Sequence, residues 1–529
     1  MLRSLNVAQT LTRHAELYPD KIAVQDLARA MSYRQWNERA CRLANVLRGM
    51  GLGKGERFAV LAYNCIEWME IYAAAAKAGL IAVPVNFRLL GPEIHYQIED
   101  SGAKVLIVQA DLLDRIEEIR ASLPIAEKNY VSFGGERAQA GYQSYEDLIA
   151  RAAASETSVE IAPKDTPNDT WTLMYTSGTT GRPKGAMRSQ ESDGLLHAYT
   201  ARAMGFDGND TGLMVMPMCH ANSLWFSFTF ASRGGAAFVY SRKSFDPEHL
   251  LRTLSERGIT FTSLVPTHYI MMLGLSDAVK RKYNVDRTDK LLISSAPARR
   301  ETKLAIMEQF RNSKLYEGYG STEAGWVTLL SPEEQLHKLG SIGREIAGTG
   351  RIRLLDAEGR EVPEGEVGEL YFHTPYVFQG YWNMPEKTAE AFRGDYCSVG
   401  DMARRDGEGY YFLVDRKSNM IISGGENVYP SEVESMLAAF PKLKEVAVIG
   451  LPHHKWGEAV HAVIVLRDGE AASEAEVLEW CKDKIAGYKR PRSVSFVKGE
   501  DIPRTATGKV QHRLLRQTFA KNVAGVLAG

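Results

Sequence analysis

Cysteine is scarce in this chain of 529 residues, which contains five. They are widely scattered and no two form a C-x-x-C pair, the residues being Cys41, Cys65, Cys219, Cys397 and Cys481. A small, odd and dispersed set gives no support to a disulfide framework, a zinc site or a redox pair. We expect reduced thiols and a cytoplasmic protein.

Excess charge and long apolar runs are also lacking. The 64 basic and 65 acidic residues leave a formal net charge of -1, which gives no reason to expect nucleic acid or an anionic membrane as a partner. The longest apolar run, from Trp68 to Val85, is interrupted by Glu70, Lys77 and Pro84, so it does not predict a transmembrane span. Residues 1–19 show no apolar core of a signal peptide. Any anion-binding site must therefore be local.

The apolar residues that are present, 44% of the chain, are arranged for an α/β fold. Strand-like and helix-like segments alternate from Arg57 onward and again after residue 185, as in parallel sheets built from βαβ units. Short strand-like runs then surround a charged turn between Arg351 and His373. We predict two similar α/β subdomains plus a β-rich subdomain, followed by a small α+β C-terminal domain.

The segment from Tyr175 to Gly185, Y-T-S-G-T-T-G-R-P-K-G, carries the most chemical information. Its glycines let backbone N–H groups approach an anion, its hydroxyls add donors, and Arg182 and Lys184 add positive charge. A strand-like run from Trp171 precedes it, as is common for phosphate-binding loops. A surface turn is the alternative, since Ser, Thr and Gly also dominate ordinary loops.

A nucleotide P-loop of the Walker type is excluded by the spacing. That motif requires G-x-x-x-x-G-K-[ST]. Here Pro183 stands at the second glycine position after Gly178, and Lys184 is followed by Gly185.

The loop resembles the T-S-G-T-T-G-x-P-K-G motif of the acyl-adenylate-forming superfamily, which includes acyl-CoA synthetases. Further motifs of that family recur in order along nearly the whole chain. The resemblance implies an N-terminal AMP-binding domain over residues 1–415, a hinge over 416–420 and a mobile C-terminal domain over 421–529.

The same resemblance implies a nucleotide site. Its members would hold the phosphates, enclose the adenine or bind the ribose: Thr176, Ser177, Gly178, Thr179, Thr180, Lys184, Ser295, Ala296, Pro297, Glu317, Gly318, Tyr319, Gly320, Asp401 and Arg416. Thr322 would contact the α-phosphate. Glu323, with Thr176, would ligate Mg2+, which prefers hard oxygen ligands.

Other matching residues are implied to handle the acid and coenzyme A. His220 follows a strand and resembles the residue beside the reacting carboxylate, whereas a lone histidine is otherwise more often structural. Trp225, Gly320 and Trp326 complete the predicted pocket, and Gly424 and Gly425 match the pantetheine tunnel of CoA-using members. The basic segment 487–491 either faces the CoA phosphates or is a solvated patch.

Lys509 lies in P-R-T-A-T-G-K, which matches the catalytic lysine motif of the family. The family hinge residue is commonly Asp or Lys, and here it is Ser418, so the usual charge at the hinge is missing.

These residues imply an AMP-forming acyl-CoA synthetase that uses ATP, Mg2+ and CoA as co-substrate, with His220, Thr322, Glu323 and Lys509 as the catalytic set. The implied partners are small molecules, with no nucleic acid, and a homodimer is left open. One alternative is transfer of the acyl group to a carrier protein, and another is a nucleotide-binding regulatory protein without turnover. The bulky Trp326 favours a short-to-medium-chain or aryl acid over a long-chain one.

Overall fold

The protein is described here by a computed structural model covering residues 6–135, 139–156, 170–176, 183–294, 298–423, 426–482, 484–505 and 508–526. The described chain divides into two compact units, one containing residues up to 351 together with 372–397, the other containing 352–371 and the residues from 398 onward. The α/β fold class predicted from the sequence is confirmed.

Two large, mainly parallel sheets form the first unit. In spatial order the strands of one are Arg344–Glu345, Gly325–Leu330, Lys314–Ser321, Lys290–Ser294, Phe261–Leu264, Thr211–Met214, Ala236–Val239, Ile22–Gln25 and Ala30–Ser32. Those of the other are Gly380–Tyr381, Lys184–Ser189, Thr170–Thr176, Ile81–Val85, Arg57–Leu61, Val105–Gln109, Tyr130–Phe133 and Gln143–Ser144. A small hairpin joins Phe392–Arg393 to Tyr396–Cys397.

The helices of the first unit cover these sheets. They are Val7–Leu17, Tyr33–Gly49, Glu67–Ala78, Gly91–Ser101, Leu113–Glu117, Tyr145–Arg151, Gln190–Met204, Ala221–Ser232, Pro247–Glu256, Pro266–Leu273, Asp277–Lys280, Arg300–Gln309 and Pro385–Ala391, with short 3-10 turns at Ala110–Leu112, Arg120–Ser122, Glu127–Asn129 and Pro332–Glu334.

One apolar core connects the two large sheets. It contains the buried faces of helices Glu67–Ala78 and Ala221–Ser232 together with strand residues such as Val60 and Phe261 from either sheet. Helix Glu67–Ala78 is buried on nearly every side, and its buried charges Glu70 and Lys77 are paired with Arg39 and Glu156. Parallel strands place their carboxyl ends at one edge of a sheet, where the loops that bind ligands usually lie.

The second unit contains two smaller sheets. One is antiparallel, with strands Arg353–Leu355, Gly368–Tyr371, Asp401–Arg405 and Tyr411–Arg416. The other contains Glu426–Val428, Ile421–Ser423, Gly457–Leu466, Leu443–His453 and Ser493–Phe496, covered by helices Pro430–Leu437, Glu474–Trp480 and His512–Val526, with a 3-10 turn at Gly499–Asp501.

The β-rich segment predicted between 351 and 373 therefore forms strands, and its antiparallel sheet is completed by residues 401–416. No helix among the described residues has the length and apolar character needed to cross a membrane. The five cysteines are buried free thiols.

Candidate active site

Several predicted site residues lie outside the described part of the chain. These are Ser177, Gly178, Thr179, Thr180, Ser295, Ala296, Pro297, Gly424 and Gly425.

The two ends of the glycine-rich loop are held opposite each other by β-pairing. Strands Thr170–Thr176 and Lys184–Ser189 are antiparallel, and Thr176 pairs with Lys184. Lys184 thus begins a strand, whereas the lysine of a Walker loop begins a helix. The exclusion of a Walker P-loop is confirmed. The β-pairing also anchors the main chain of Thr176 and of Lys184 at the base of the loop.

Glu323 is buried beside this base. Its Oε1 accepts a hydrogen bond from the Tyr381 hydroxyl at 2.9 Å and lies 3.5 Å from Thr176 Oγ1. Its backbone carbonyl accepts from the Phe378 amide at 2.8 Å and from Arg188 at 3.4 Å. Both the side chain and the main chain of Glu323 are therefore held in place.

Tyr381 connects Glu323 to the loop lysine, and the sequence analysis missed it. The Lys184 ammonium lies 4.0 Å from the centre of its ring, within cation–π range. Tyr381 reaches this position because its strand pairs with Lys184–Ser189, with Tyr381 opposite Ala186. Lys184 and Tyr381 lie nearly two hundred residues apart in the sequence, so no local pattern links them. The adjacent pair Gly380-Tyr381 is the one sequence feature that could have indicated a site residue there.

The Glu323 neighbourhood fits a magnesium ion that also contacts phosphates. Mg2+ is usually bound by one or two carboxylates plus substrate oxygens rather than by a complete protein cage. A buried carboxylate with a hydroxyl at 3.5 Å offers such a partial set of hard oxygen ligands.

The segment that carries His220 is fixed by Asn64. The Asn64 side chain accepts from the Met218 amide at 2.8 Å and donates to the Met216 carbonyl at 3.0 Å. His220 then precedes helix Ala221–Ser232, and its Nε2 lies 3.3 Å from the Asn86 amide nitrogen. Burial, aided by the charge of Arg88, lowers the pKa of His220 to about 4.

Because of that pKa, His220 is expected to stay neutral above about pH 5 and to take no part in proton transfer near neutrality. A His220→Phe variant should therefore keep the pH dependence of kcat/KM for the acid unchanged between about pH 5 and 8. Steady-state rates across that range test this. An inflection near the ordinary histidine pKa that disappears in His220→Phe would contradict it.

Aromatic rings lie along the helix that follows His220. The rings of Trp225 and Trp326 are 6.4 Å apart, and Phe226 lies 5.5 Å from Trp326. A Cβ at Gly318 would lie 3.0 Å from the Trp326 ring, so glycine lets the indole pack against the strand. A Cβ at Gly320 would lie 2.2 Å from the Gly325 carbonyl oxygen, which accounts for glycine there.

One residue of the predicted adenine segment, Glu317, has a charged partner within the protein. Glu317 is buried and forms an ion pair with buried Lys303 at 2.6 Å. Its carboxylate is thus already neutralised within the unit. Tyr319 is 9% exposed and Thr322 is half-buried, so their roles remain predictions.

In the second unit, Asp401 and Arg416 pair across adjacent antiparallel strands, with 3.1 Å between Oδ1 and Nε. Lys509 lies in a tight turn in which the Thr505 amide donates to the Lys509 carbonyl at 2.7 Å, and Gly508 adopts a φ of +85°. Desolvation, and then the charge of Arg416, lower the pKa of the partly exposed Lys509. The charge of Asp401 acts in the opposite direction and raises that pKa. Asp401, Arg416 and Lys509 are therefore electrostatically coupled.

The predicted hinge is a turn, in which the Asn419 amide donates to the Arg416 carbonyl at 2.9 Å. Ser418 is exposed there, and the adjacent Lys417 pairs with Glu369 at 2.8 Å. In the basic segment 487–491, Lys489 pairs with Glu432 at 2.6 Å. Hinge motion and CoA contact remain predictions.

Comparison with known proteins places this arrangement in a family. The AMP-binding enzyme family matches residues 11–382, and the AMP-binding enzyme C-terminal domain matches residues 432–509.

Individual relatives agree. The long-chain-fatty-acid–CoA ligase FadD13 of Mycobacterium tuberculosis is 36% identical, with 93% of this chain and 94% of that protein covered. The feruloyl-CoA synthase of an Amycolatopsis species is 33% identical over 98% of this chain and 100% of its own. The solved structure of the anthranilate CoA ligase AuaEII with anthranoyl-AMP has a TM-score of 0.86 at 29% identity, covering 98% of either chain. This chain belongs to the AMP-binding enzyme family.

Proposed function

We propose that this protein is an ATP-dependent acyl-CoA synthetase that activates a short-to-medium-chain or aryl carboxylic acid as its acyl-adenylate and transfers the acyl group to CoA. The relatives that it resembles along nearly its whole length are CoA ligases or synthases, and the anthranilate CoA ligase structure holds an acyl-AMP. The observation that carries the proposal is the buried Glu323 carboxylate beside Thr176 and Tyr381, at the base of the glycine-rich loop.

In the first step, a carboxylate oxygen of the acid attacks the α-phosphorus of ATP, and pyrophosphate leaves with the electrons of the broken P–O bond. The barrier arises from bringing anionic groups together. Catalysis is then mainly positioning and neutralisation by fixed groups. Lys184 and the loop bind the departing phosphates, and Thr322 contacts the α-phosphate.

Glu323 and Thr176 would hold Mg2+, which when bound spreads the negative charge of the phosphate oxygens. Lys509 would neutralise the carboxylate and α-phosphate as they join, while Asp401 and Arg416 would bind the ribose. In the second step, the sulfur of CoA attacks the acyl carbonyl carbon, the bond from that carbon to the phosphate oxygen breaks, AMP leaves with its electrons, and the thiol proton is released to solvent. We assign Lys509 to the first step alone.

The preference for a smaller acid rests on Trp326. Its ring packs between Gly318 and the aromatic side chains of helix Ala221–Ser232. In this proposal the indole limits the length of acid that the pocket beside His220 accepts. We also propose a cytoplasmic location, because five buried free thiols suit a reducing compartment.

A smaller residue at position 326 should relax this limit. Trp326→Ala is expected to raise kcat/KM for dodecanoate relative to hexanoate about tenfold or more, since pocket volume discriminates methylene groups by factors of this order. Trp326→Phe, which keeps a ring, should change the ratio little. Faster turnover of palmitate than of hexanoate or benzoate by the unmodified enzyme would contradict the proposed acid class.

Pyrophosphate release over a panel of carboxylic acids, with and without CoA, tests the function as a whole. We expect acid-dependent pyrophosphate and AMP, and CoA-dependent thioester. Turnover that needs a carrier protein in place of CoA would support the carrier alternative. ATP binding with no pyrophosphate release for any acid would support a regulatory protein.

A further inference from the structure

Arg188 is a fully buried arginine four residues beyond Lys184, on the strand that leaves the glycine-rich loop. Burying a guanidinium is costly unless its N–H groups are satisfied and its charge is balanced. The balancing charge is Asp193, which is also fully buried. Such a pair is weak evidence for stability alone, since apolar residues of similar volume often fold as well.

The Arg188 guanidinium is used in three directions. Nε and Nη2 both donate to Asp193 Oδ1, the former at 2.8 Å. Nη1 donates to the Tyr376 carbonyl at 2.7 Å and to the Glu323 carbonyl at 3.4 Å. The guanidinium carbon also lies 5.2 Å from the centre of the Trp225 ring. One side chain therefore joins the loop strand to the Glu323 segment and to the predicted acid pocket.

The Arg188 contact that bears on the predicted metal site is the one to the main chain of Glu323. Tyr381 and Thr176 hold the Glu323 carboxylate, whereas Arg188 and the Phe378 amide hold its carbonyl. Asp193, at the start of helix Gln190–Met204, fixes the guanidinium in turn. Without Arg188 the Glu323 carbonyl would lose one of its two donors, which loosens the backbone from which the carboxylate projects.

We propose that the buried pair Arg188–Asp193 positions Glu323 for divalent-cation binding, so that Arg188 is a positioning residue of the adenylation step. This inference rests on the proposed function, in which Glu323 holds Mg2+. It adds a role for two residues that touch neither nucleotide nor acid. Lysine could not replace Arg188, because a single ammonium lacks the planar set of N–H donors that bonds the Asp193 carboxylate and two backbone carbonyls at the same time.

The test compares Arg188→Lys, and Arg188→Met combined with Asp193→Asn, with the unmodified enzyme. The double variant removes the pair without leaving a lone buried charge. Calorimetric titration with ATP at a series of Mg2+ concentrations gives the Mg2+ concentration at which half of the Mg2+-dependent increase in ATP affinity is reached. ATP–pyrophosphate exchange gives kcat and the KM for the acid separately.

We expect the half-saturating Mg2+ concentration to rise about tenfold in both variants, as is typical when a partner that orients a metal ligand is lost. The kcat of exchange should fall about 10- to 100-fold, while the KM for the acid stays within about threefold, since the acid is not contacted.

Arg39→Met combined with Glu70→Gln is the matched control. Arg39 pairs with buried Glu70 at 2.7 Å on helices Tyr33–Gly49 and Glu67–Ala78. This variant should lower Tm comparably and leave the Mg2+ dependence unchanged. If the Arg188 variants also lower Tm with no change in Mg2+ dependence, the positioning role is wrong.

Glu323→Gln distinguishes failure of the positioning role of Arg188 from failure of the metal role of Glu323. If Glu323→Gln shifts the Mg2+ dependence and the Arg188 variants do not, only the positioning role fails. If Glu323→Gln leaves it unshifted as well, the proposed metal role of Glu323 fails.

Discussion

Replacing Lys509 with alanine is expected to slow acyl-adenylate formation about 100- to 1000-fold, the usual effect of deleting one fixed group that stabilises developing charge. The reason is that two anions, the acid and the α-phosphate, meet in that step. Thioester formation from pre-made acyl-adenylate should be nearly unchanged, because those charges have already been joined. ATP–pyrophosphate exchange measures the first step, and single-turnover thioester formation from synthetic acyl-adenylate measures the second.

Lys498→Ala is a suitable control for the loss of a lysine in the same unit. Its side chain is 81% exposed and lies 3.8 Å from Glu500, so both half-reactions should proceed normally. Equal damage to the two half-reactions in Lys509→Ala would show that the lysine is not specific to adenylation.

Replacing Glu323 with glutamine is expected to reduce adenylation by a similar factor, about 100- to 1000-fold. Glutamine keeps the size of the side chain and its contact with the Tyr381 hydroxyl, but it removes the charged oxygen ligand that Mg2+ prefers. The loss should be partly recovered at high Mg2+, which a misfolded variant would not show. The measurement is the rate of ATP–pyrophosphate exchange as a function of Mg2+ concentration.

Glu333→Gln is the matched substitution at an exposed position in the 3-10 turn Pro332–Glu334, and it should leave this rate unchanged. If Glu323→Gln retained the full rate at every Mg2+ concentration, the carboxylate would have no part in metal binding.

Much of the first unit could be read from periodicity. A strand was expected from Trp171 to the glycine-rich loop, and it occurs at Thr170–Thr176. Buried parallel strands are short apolar runs between helices, so their signal is local. The exclusion of a Walker loop likewise followed from spacing within a dozen residues.

Contacts that join distant segments could not be read in this way. Tyr381 and Arg188 reach Glu323 only because strand Lys184–Ser189 pairs with Gly380–Tyr381 and lies against the segment after residue 321. The burial of Glu317 against Lys303 was also missed, because a carboxylate in a loop motif looks the same in sequence whether it meets a ligand or an internal lysine. Pairing partners are set by tertiary structure, which local sequence does not encode.

The outcome for the second unit was similar. The segment from 351 to 373 reads as short strands, yet its partner strand Asp401–Arg405 lies further along the chain, and Tyr411–Arg416 pairs with that strand in turn. The pairing of Asp401 with Arg416 follows from that register, and it brings together two residues that the family motifs had identified separately.

Isotope transfer tests directly whether a carboxylate oxygen of the acid attacks the α-phosphorus of ATP. The enzyme would be incubated with ATP, Mg2+, CoA and an accepted acid labelled with 18O in both carboxylate oxygens, and the products analysed by mass spectrometry. We expect one labelled oxygen in the phosphate of AMP and none in pyrophosphate. Label in inorganic phosphate with ADP as the nucleotide product, or AMP without label, would contradict attack by the carboxylate oxygen.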